Sequence, residues 1–194
     1  MKILNLGCGA NRPPWDAWIN LDSLRSVLAP GTKERVNLDQ EKNYIDHDLL
    51  NPLPFEANTI DAILCSHVLE HFTVIESLKV LRDCYRVLRP GGLIRVSVPC
   101  PERFITLTLA GEEGWGVTDW NEKNTLKTAG VSYMEAALLH WEHKQILGYD
   151  ALRCLFWLAK FQNCVKKSIG ESAMPVLADA DNRGMTSLFV EGVK

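Results

Sequence analysis

One stretch of the sequence, from about residue 59 to residue 98, has the pattern of a strand, a helix and a second strand. The apolar run Thr59–Ser66 precedes an amphipathic segment, about Thr73–Leu88, and a second apolar run covers Gly92–Val98. Pro90-Gly91-Gly92 is expected to end the helix, because proline cannot continue it and glycine permits a reversal of the chain. Such a crossover makes its two strands parallel, so the sequence predicts an α/β fold. The expected apolar face of the helix consists of Ile75, Leu78, Leu81, Tyr85 and Leu88.

Other apolar runs extend the sheet at both ends of the chain. Three of them precede the unit, at Lys2–Leu6, Ala17–Leu21 and, more weakly, Tyr44–Asp48. The link between the first two is too short for a full helix, so either this crossover is abbreviated or one of the two strands is misassigned. Two late runs, Cys164–Ile169 and Thr186–Val193, are separated by polar residues. We expect them to form an antiparallel end to a mostly parallel sheet.

The length favours a single domain. A chain of 194 residues compares with roughly 150 residues per domain, so we expect one domain over 1–194 with a partly helical insertion at about 101–148. A helix is predicted near Tyr133–Trp141, and another over Ala151–Phe161 with Asp150 as its N-cap. The inward side of the second helix is expected to carry Leu152, Leu155, Phe156 and Ala159.

Composition and charge exclude several classes of protein. Hydrophobic residues make up 46% and charged residues 23%, which argues against a disordered or fibrous chain. A net charge of −3 without a run of like charge argues against a nucleic-acid partner. No apolar stretch reaches the roughly 18 residues of a membrane helix, and the first residues do not resemble a signal peptide. We therefore expect a cytoplasmic protein with reduced cysteines; the six are Cys8, Cys65, Cys84, Cys100, Cys154 and Cys164.

The opening strand runs into a Gly-x-Gly bend, Gly7-Cys8-Gly9. Glycines let the backbone approach a ligand closely, and the exposed N–H groups of such a bend can hold a carboxylate or phosphate. Alone, such a bend is more often a simple turn between strands. Other strand ends carry suitable groups as well: Asp22, Asp48-Leu49 and Ser66-His67. In a parallel sheet these ends line one crevice, where open α/β sheets bind their ligands.

A dinucleotide is the less suitable ligand. The dinucleotide fingerprint GxGxxG needs a third glycine, and Arg12 stands at that position. Pro13-Pro14 follow it and oppose the helix N-terminus that would hold a pyrophosphate. A ligand with a carboxylate, such as S-adenosylmethionine, fits the bend better, and an aspartate at the neighbouring strand tip can accept both hydroxyls of a ribose.

Taken together, the motifs of the first half resemble the class I S-adenosylmethionine-dependent methyltransferases, in particular small methyltransferases of type 11. They are Leu4-Asn5-Leu6-Gly7-Cys8-Gly9, Trp18-Ile19-Asn20-Leu21-Asp22, Asp48-Leu49, Leu53-Pro54-Phe55, Asp61-Ala62-Ile63, His67-Val68-Leu69-Glu70-His71 and Arg86-Val87-Leu88-Arg89-Pro90-Gly91-Gly92. A second, weaker similarity links the tail to small methyltransferases associated with glycan modification. It rests on His143-Lys144, Gly170-Glu171-Ser172 and Ser187-Leu188-Phe189-Val190-Glu191.

The resemblance implies a Rossmann-like fold flanked by helices, and a role for each strand end in binding S-adenosyl-L-methionine. The bend, with Asn5, Gly7, Cys8 and Gly9, would lie against the methionine part of the cofactor. Asp22 would hold the ribose, and Asp48 and Leu49 would contact the adenine. Ser66 and His67 would border the sulfonium. The sequence departs from the family at Asn5, where most relatives have an acid, and at the missing third glycine.

Methyl transfer from a sulfonium mainly requires that the protein position the acceptor and exclude water. A general base is needed only for a hydroxyl or a protonated amine, and His67 is the candidate, with His140 or His143 as alternatives from the insertion. A packing role for His67 is equally consistent with its position. The HxxEH run His67–His71 resembles a metal motif, but it spans a strand end and a helix start, so we expect no metal there.

The acceptor is expected to be a small molecule or a carbohydrate, because the sequence identifies the cofactor better than the acceptor. Tryptophans of the insertion, Trp115, Trp120 and Trp141, are expected either to line its pocket or to fill a small core. A homodimer is compatible with the sequence. The alternative function is a non-catalytic partner subunit of the same fold, which Asn5 and the short first crossover favour.

Overall fold

The centre of the molecule is a seven-stranded sheet with the order β3-β2-β1-β4-β5-β7-β6. A computed structural model of the chain describes residues 1–9, 13, 17–23, 43–110, 142–181, 184 and 186–194. The strands are β1 Ile3–Leu6, β2 Trp18–Asp22, β3 Tyr44–Asp46, β4 Ile60–Ser66, β5 Leu88–Pro99, β6 Gln162–Lys167 and β7 Ser187–Val193. The helices of the described segments are α1 Val74–Val87, α2 Pro101–Leu109, α3 Tyr149–Leu158 and α4 Pro175–Ala180, with a 3₁₀ turn at Leu69–His71.

The first five strands are parallel, and the last two are antiparallel to their neighbours. β1 lies between β2 and β4, and β5 pairs with β4. β7 pairs antiparallel with both β5 and β6. The predicted α/β sheet with an antiparallel C-terminal pair is therefore confirmed. The first two predicted strands are both present, so their crossover is the abbreviated one, within residues 7–17.

Helix α1 begins and ends close to the predicted positions. Of its predicted apolar face only Ile75 is wrong, because Leu81 and Leu88 are buried and Leu78 and Tyr85 pack against the core. Thr73 caps the helix in a capping box with Glu76, an arrangement that satisfies two otherwise unpaired N–H groups. The helix ends at Val87, before Pro90 is reached. Ile75 was expected on the apolar face but is 71% exposed. The three- and four-residue spacing of apolar residues includes Ile75, but the side of the helix that packs against the sheet does not. The buried residues of α1 are Ser77, Val80, Leu81, Cys84 and Val87.

Helix α3 confirms the predicted inward residues and corrects the predicted cap. Leu152, Leu155, Phe156 and Ala159 are all buried. The N-cap is Gly148 rather than Asp150, which lies inside the first turn. There an acidic residue interacts favourably with the helix dipole without capping an N–H group.

Both faces of the sheet are covered. Residues that alternate along each strand go to opposite sides, as in β1, where Leu4 and Leu6 join the larger cluster with α1 and α3. Ile3 joins a smaller cluster with Trp18 and with Leu177 of α4. Two-sided burial explains why these strands are almost continuously apolar.

The predicted helix at Tyr133–Trp141, the insertion tryptophans, His140, Arg12 and Pro14 lie outside the described residues. All six cysteines are described and are free thiols. Burial raises the pKa of the Cys65 thiol well above its ordinary value, so this thiol stays protonated. Within the described segments, none of the helices has the length and apolar character needed to cross a bilayer.

Candidate active site

The carboxyl ends of β1, β2 and β4 meet at one edge of the sheet, and the residues predicted for the site lie at or near this edge. The bend Gly7-Cys8-Gly9 follows β1 directly. Asp22 is the last residue of β2, and Ser66 is the last residue of β4. The parallel register places Leu6 opposite Leu21 and opposite Cys65, so these three strand ends are level with one another.

The bend adopts a conformation that only glycine takes easily. Gly7 has φ +58° and Gly9 has φ +50°. A Cβ on Gly7 would lie 2.5 Å from Cγ2 of Val68, so the bend is packed against the turn that follows β4. A Cβ on Gly9 would meet no described atom within 4 Å. Gly7 therefore fixes the bend to the protein, whereas the described residues leave space beside Gly9.

Asp22 is tied directly to this bend. Its Oδ2 accepts a hydrogen bond from the backbone N–H of Gly9 at 2.8 Å, and its Oδ1 accepts one from the N–H of Ser23 at 2.8 Å. Its backbone carbonyl accepts from the N–H of His47 at 3.0 Å and from the hydroxyl of Tyr44 at 2.8 Å. The side chain is mostly buried, with 8% of the residue exposed. The Asp22 carboxylate and the glycine bend are thus held together by a direct hydrogen bond.

The third strand is shorter than expected and ends at Asp46. Asp48 and Leu49 lie two and three residues farther on, in a turn. The carboxylate of Asp48 accepts from the N–H of Leu50 at 2.9 Å, which places it at an exposed turn. Leu49 is buried, at 9% exposed. The hydrogen bond from the N–H of His47 to the carbonyl of Asp22 holds this turn beside the end of β2.

Asn5 and Cys8 lie behind the bend. The Asn5 side chain is buried and donates from Nδ2 to Oδ1 of Asn20 at 2.9 Å, which joins β1 to β2. Cys8 is buried, and its N–H donates to the carbonyl of Leu21 at 3.2 Å. Both residues hold the two strands together beneath the bend.

The hydroxyl of Ser66 enters a buried polar network that joins β4 and β5 to Asp181. Its Oγ donates to Oδ1 of Asp181 at 2.8 Å and accepts from Oγ of Ser97 at 2.8 Å. The carboxylate of Asp181 also accepts from Nε of Arg95 at 2.9 Å, and both side chains are 0% exposed. Arg95 donates further to Oε1 of Glu191 at 3.2 Å. A buried charge of this kind is tolerated only when it is paired.

His67 stands in an unusual conformation just after β4. Its φ is +54°, a region that costs of order 1 kcal/mol or more for a residue other than glycine and that is concentrated at functional sites. Its N–H donates to the carbonyl of Ser97 at 2.8 Å, and Nε2 lies 2.7 Å from the hydroxyl of Ser187. Nδ1 lies 3.1 Å from Oε1 of Glu70, and the side chain is 19% exposed.

The sequence analysis expected no metal at Glu70 and did not predict its surroundings. Glu70 is buried, at 1% exposed, and lines a small cleft at the end of β5 together with Pro99, Phe104, His143 and Leu147. The cleft has a polar end, formed by Glu70 and His143, and an apolar wall. The HxxEH spacing was the only signal in the sequence, because His143 and Leu147 come from a distant segment.

Comparisons with known proteins agree with this architecture. A family model described as a methyltransferase domain matches residues 4–96, a little under half of the chain. A probable S-adenosylmethionine-dependent methyltransferase of Mycolicibacterium smegmatis is 30% identical over 101 residues, which cover 50% of this chain and 37% of the relative. Over this region the chain is similar to S-adenosylmethionine-dependent methyltransferases. It spans little more than a third of the length of that curated relative.

Solved structures of such methyltransferases share the fold. A SAM-dependent methyltransferase from Archaeoglobus fulgidus superposes with a TM-score of 0.58 at 14% identity, covering 100% of this chain and 86% of that one. Human N-acetylserotonin methyltransferase, solved in complex with SAM, gives a TM-score of 0.56 at 17% identity, covering 99% and 47%. S-adenosylmethionine is the cofactor of this family.

Proposed function

We propose that this methyltransferase domain transfers a methyl group from S-adenosylmethionine to a small-molecule or carbohydrate-like acceptor. The observation that carries the proposal is the 2.8 Å hydrogen bond between the Gly9 N–H and the Asp22 carboxylate. It brings the glycine bend and a strand-tip aspartate to one place, as binding of an amino-acid moiety beside a ribose requires. We place the protein in the cytoplasm, since six free thiols suit a reducing compartment.

In this proposal the cofactor lies across the carboxyl ends of the strands. The bend of Gly7, Cys8 and Gly9 lies against the methionine part. Gly9 leaves room for the ligand, because it has no side chain and no described atom lies within 4 Å of its Cβ position. Asp22 accepts hydrogen bonds from the ribose hydroxyls. The turn with Asp48 and Leu49 contacts the adenine, and Asn5 supports the bend through its bond to Asn20.

The reacting methyl group would lie beside Ser66 and His67. The acceptor attacks the methyl carbon in line, a new bond from its oxygen or nitrogen to that carbon forms, and the carbon–sulfur bond breaks to give S-adenosylhomocysteine. The acceptor proton passes to Nε2 of His67, which Ser187 contacts at 2.7 Å. The Glu70 carboxylate, 3.1 Å from Nδ1, attracts the imidazolium that results.

The acceptor would enter through the cleft at the end of β5. Pro99, Phe104 and Leu147 give it an apolar wall, and Glu70 and His143 give it a polar end. A few polar groups in a mainly apolar cleft fix the orientation of a small ligand. The wall suits an acceptor with an apolar face, as a sugar ring or an aromatic ring has.

We expect Gly9→Ala to weaken binding of S-adenosylhomocysteine at least tenfold, measured by isothermal calorimetry. The new Cβ would stand in the open space assigned to the ligand, and φ +50° strains any residue other than glycine. The matched control is Gly91→Ala, because Gly91 also has positive φ (+75°) and open space around its Cβ position but lies at the opposite end of β5. Both variants should lose about 1–2 kcal/mol of folding free energy, and only Gly9→Ala should lose affinity.

The alternatives give different results. Wild-type protein that binds no S-adenosylhomocysteine at millimolar concentration would overturn the proposal. Binding without turnover, across a panel of hydroxyl- and amine-bearing acceptors including sugars, would favour the non-catalytic partner subunit.

We expect His67→Ala to slow methyl transfer by about 10²–10⁴-fold, the usual contribution of a general base, while S-adenosylhomocysteine affinity stays nearly unchanged. His67→Asn should behave in the same way, because asparagine tolerates positive φ but does not serve as a base here. The measurement is formation of S-adenosylhomocysteine in single turnover with an acceptor found in the panel. Equal rates for wild type and both variants would assign His67 a packing role.

A further inference from the structure

Three side chains with metal-binding atoms meet at the polar end of the cleft. The ligand atoms of Glu70, His71 and His143 all lie within 4.8 Å of one another. The rings of His71 and His143 meet edge to face, with their centroids 5.0 Å apart. Two ligand atoms bonded to one tetrahedral ion at about 2.1 Å lie about 3.4 Å apart, so side-chain shifts of up to about 1.4 Å would close the group around an ion.

The carboxylate of Glu70 has the character of a ligand without its ion. It is 1% exposed, and among the described residues neither of its oxygens has a hydrogen-bond partner. The 3.1 Å contact to Nδ1 of His67 involves Oε1 only. A buried carboxylate is costly unless it is paired with a cation or coordinates a metal. His67 lies at Oε1 of Glu70, and a metal ion at Oε2 would pair the second oxygen.

The backbone holds the three residues together. The N–H of Lys144 donates to the carbonyl of Glu70 at 2.8 Å. The side-chain amide of Gln145 donates to the carbonyl of Leu69 at 2.9 Å and to the hydroxyl of Ser77 at 2.7 Å. These bonds fix the segment that carries His143 against the 3₁₀ turn that carries Glu70 and His71. The arrangement is therefore built by two segments far apart in the chain.

We propose that Glu70, His71 and His143 bind one divalent transition-metal ion, with zinc as the preferred metal. Two imidazoles and one carboxylate form a ligand set that zinc uses in open sites, where a fourth position remains for water or substrate. Imidazole ligands favour zinc over magnesium. The sequence alone favoured no metal here, because the HxxEH run spans a strand end and a helix start, and it did not indicate that His143 lies beside Glu70 and His71.

The position of Glu70 and His143 in the cleft suggests what a bound metal ion would do. Glu70 and His143 both line the cleft, so the open position borders the space in which we place the acceptor. An ion there would polarise a bound hydroxyl and ease the loss of its proton; this role rests on the proposed function, whereas metal binding does not.

The test measures metal binding directly, in the absence of cofactor and acceptor. Untagged full-length protein is stripped with a chelator and titrated with Zn²⁺ against a chromogenic competitor. We expect one Zn²⁺ per chain, and a melting temperature that rises by about 5–10 °C at a free-metal concentration near 100 times Kd. Mg²⁺ should not compete. His143→Ala and Glu70→Gln should each weaken binding at least tenfold.

Two controls separate this site from adventitious binding. His47→Ala removes a histidine at a distant turn, and Cys154→Ser removes an exposed thiol; both should bind Zn²⁺ like wild type. The melting temperature of each metal-free variant shows that it is folded, and His71→Ala replaces any variant that is not. Zn²⁺ binding that is absent, that survives loss of His143, or that is lost with Cys154 would overturn the proposal. Methyl-transfer activity is not read, so failure here leaves the proposed function unaffected.

Discussion

An Asp181→Ala variant is expected to lose about 3–5 kcal/mol of unfolding free energy, the usual cost of removing one partner of a buried ion pair. Arg95 and Asp181 are both 0% exposed, and their contact is 2.9 Å. Without Asp181, the guanidinium stays buried with only Glu191 as a charged partner among the described residues. Ser66 and Ser97 would lose an acceptor as well. Urea denaturation followed by circular dichroism measures the loss.

The matched control is Asp150→Ala, since Asp150 also pairs with an arginine, Arg153, at 3.3 Å, but with side chains 88% and 63% exposed. Exposed pairs contribute about 0–1 kcal/mol, so this variant should remain close to wild type. Replacing Arg95, Asp181 and Glu191 together by apolar residues should recover much of the loss, because the cost lies in the unpaired charge. Similar losses for Asp181→Ala and Asp150→Ala would show that burial does not set the strength of the pair.

The positions of β1, β2 and β4 could be predicted from the sequence because these parallel strands are buried on both sides. Such strands are short apolar runs that end in polar or glycine residues, and the observed ends of β1, β2 and β4 agree with the predicted ones. The helix face was harder to predict. Ile75 satisfies the periodicity of α1 but is exposed, because periodicity defines a stripe without showing how the sheet is placed beneath it.

The edge of the site could be predicted, but not its connections. A rule about parallel strands places Gly9, Asp22 and Ser66 together without reference to any distant residue. The contacts of His67 with Ser187 and of Ser66 with Asp181 join residues more than 110 positions apart in the sequence. Ser187 begins β7 and Asp181 follows α4, so these contacts depend on how the last part of the chain packs against β4. One signal was available: Arg95 stands inside an apolar strand, where a charge requires a buried partner.

An Asp22→Ala variant is expected to bind S-adenosylhomocysteine about 10–150-fold more weakly, which corresponds to about 1.5–3 kcal/mol, the scale of hydrogen bonds to a charged group. The carboxylate supports the bend through the Gly9 N–H and would also accept from the ribose hydroxyls. Calorimetry with S-adenosylhomocysteine measures the change. Asp61→Ala is the control, because Asp61 also accepts from a backbone N–H, that of Lys2 at 2.5 Å, but lies at the opposite end of the sheet.

Asp22→Asn separates the two contributions of the carboxylate. An asparagine keeps one oxygen for the Gly9 N–H but loses the charge and one of the two acceptors, so the bend is held while the grip on a ribose diol is weakened. If the ribose lies at Asp22, the Asn variant should bind at least several-fold more weakly than wild type. Wild-type affinity in Asp22→Asn, with a loss in Asp22→Ala, would mean that Asp22 only supports the bend. Unchanged affinity in both variants would place the ribose elsewhere and remove the observation on which the proposed function depends.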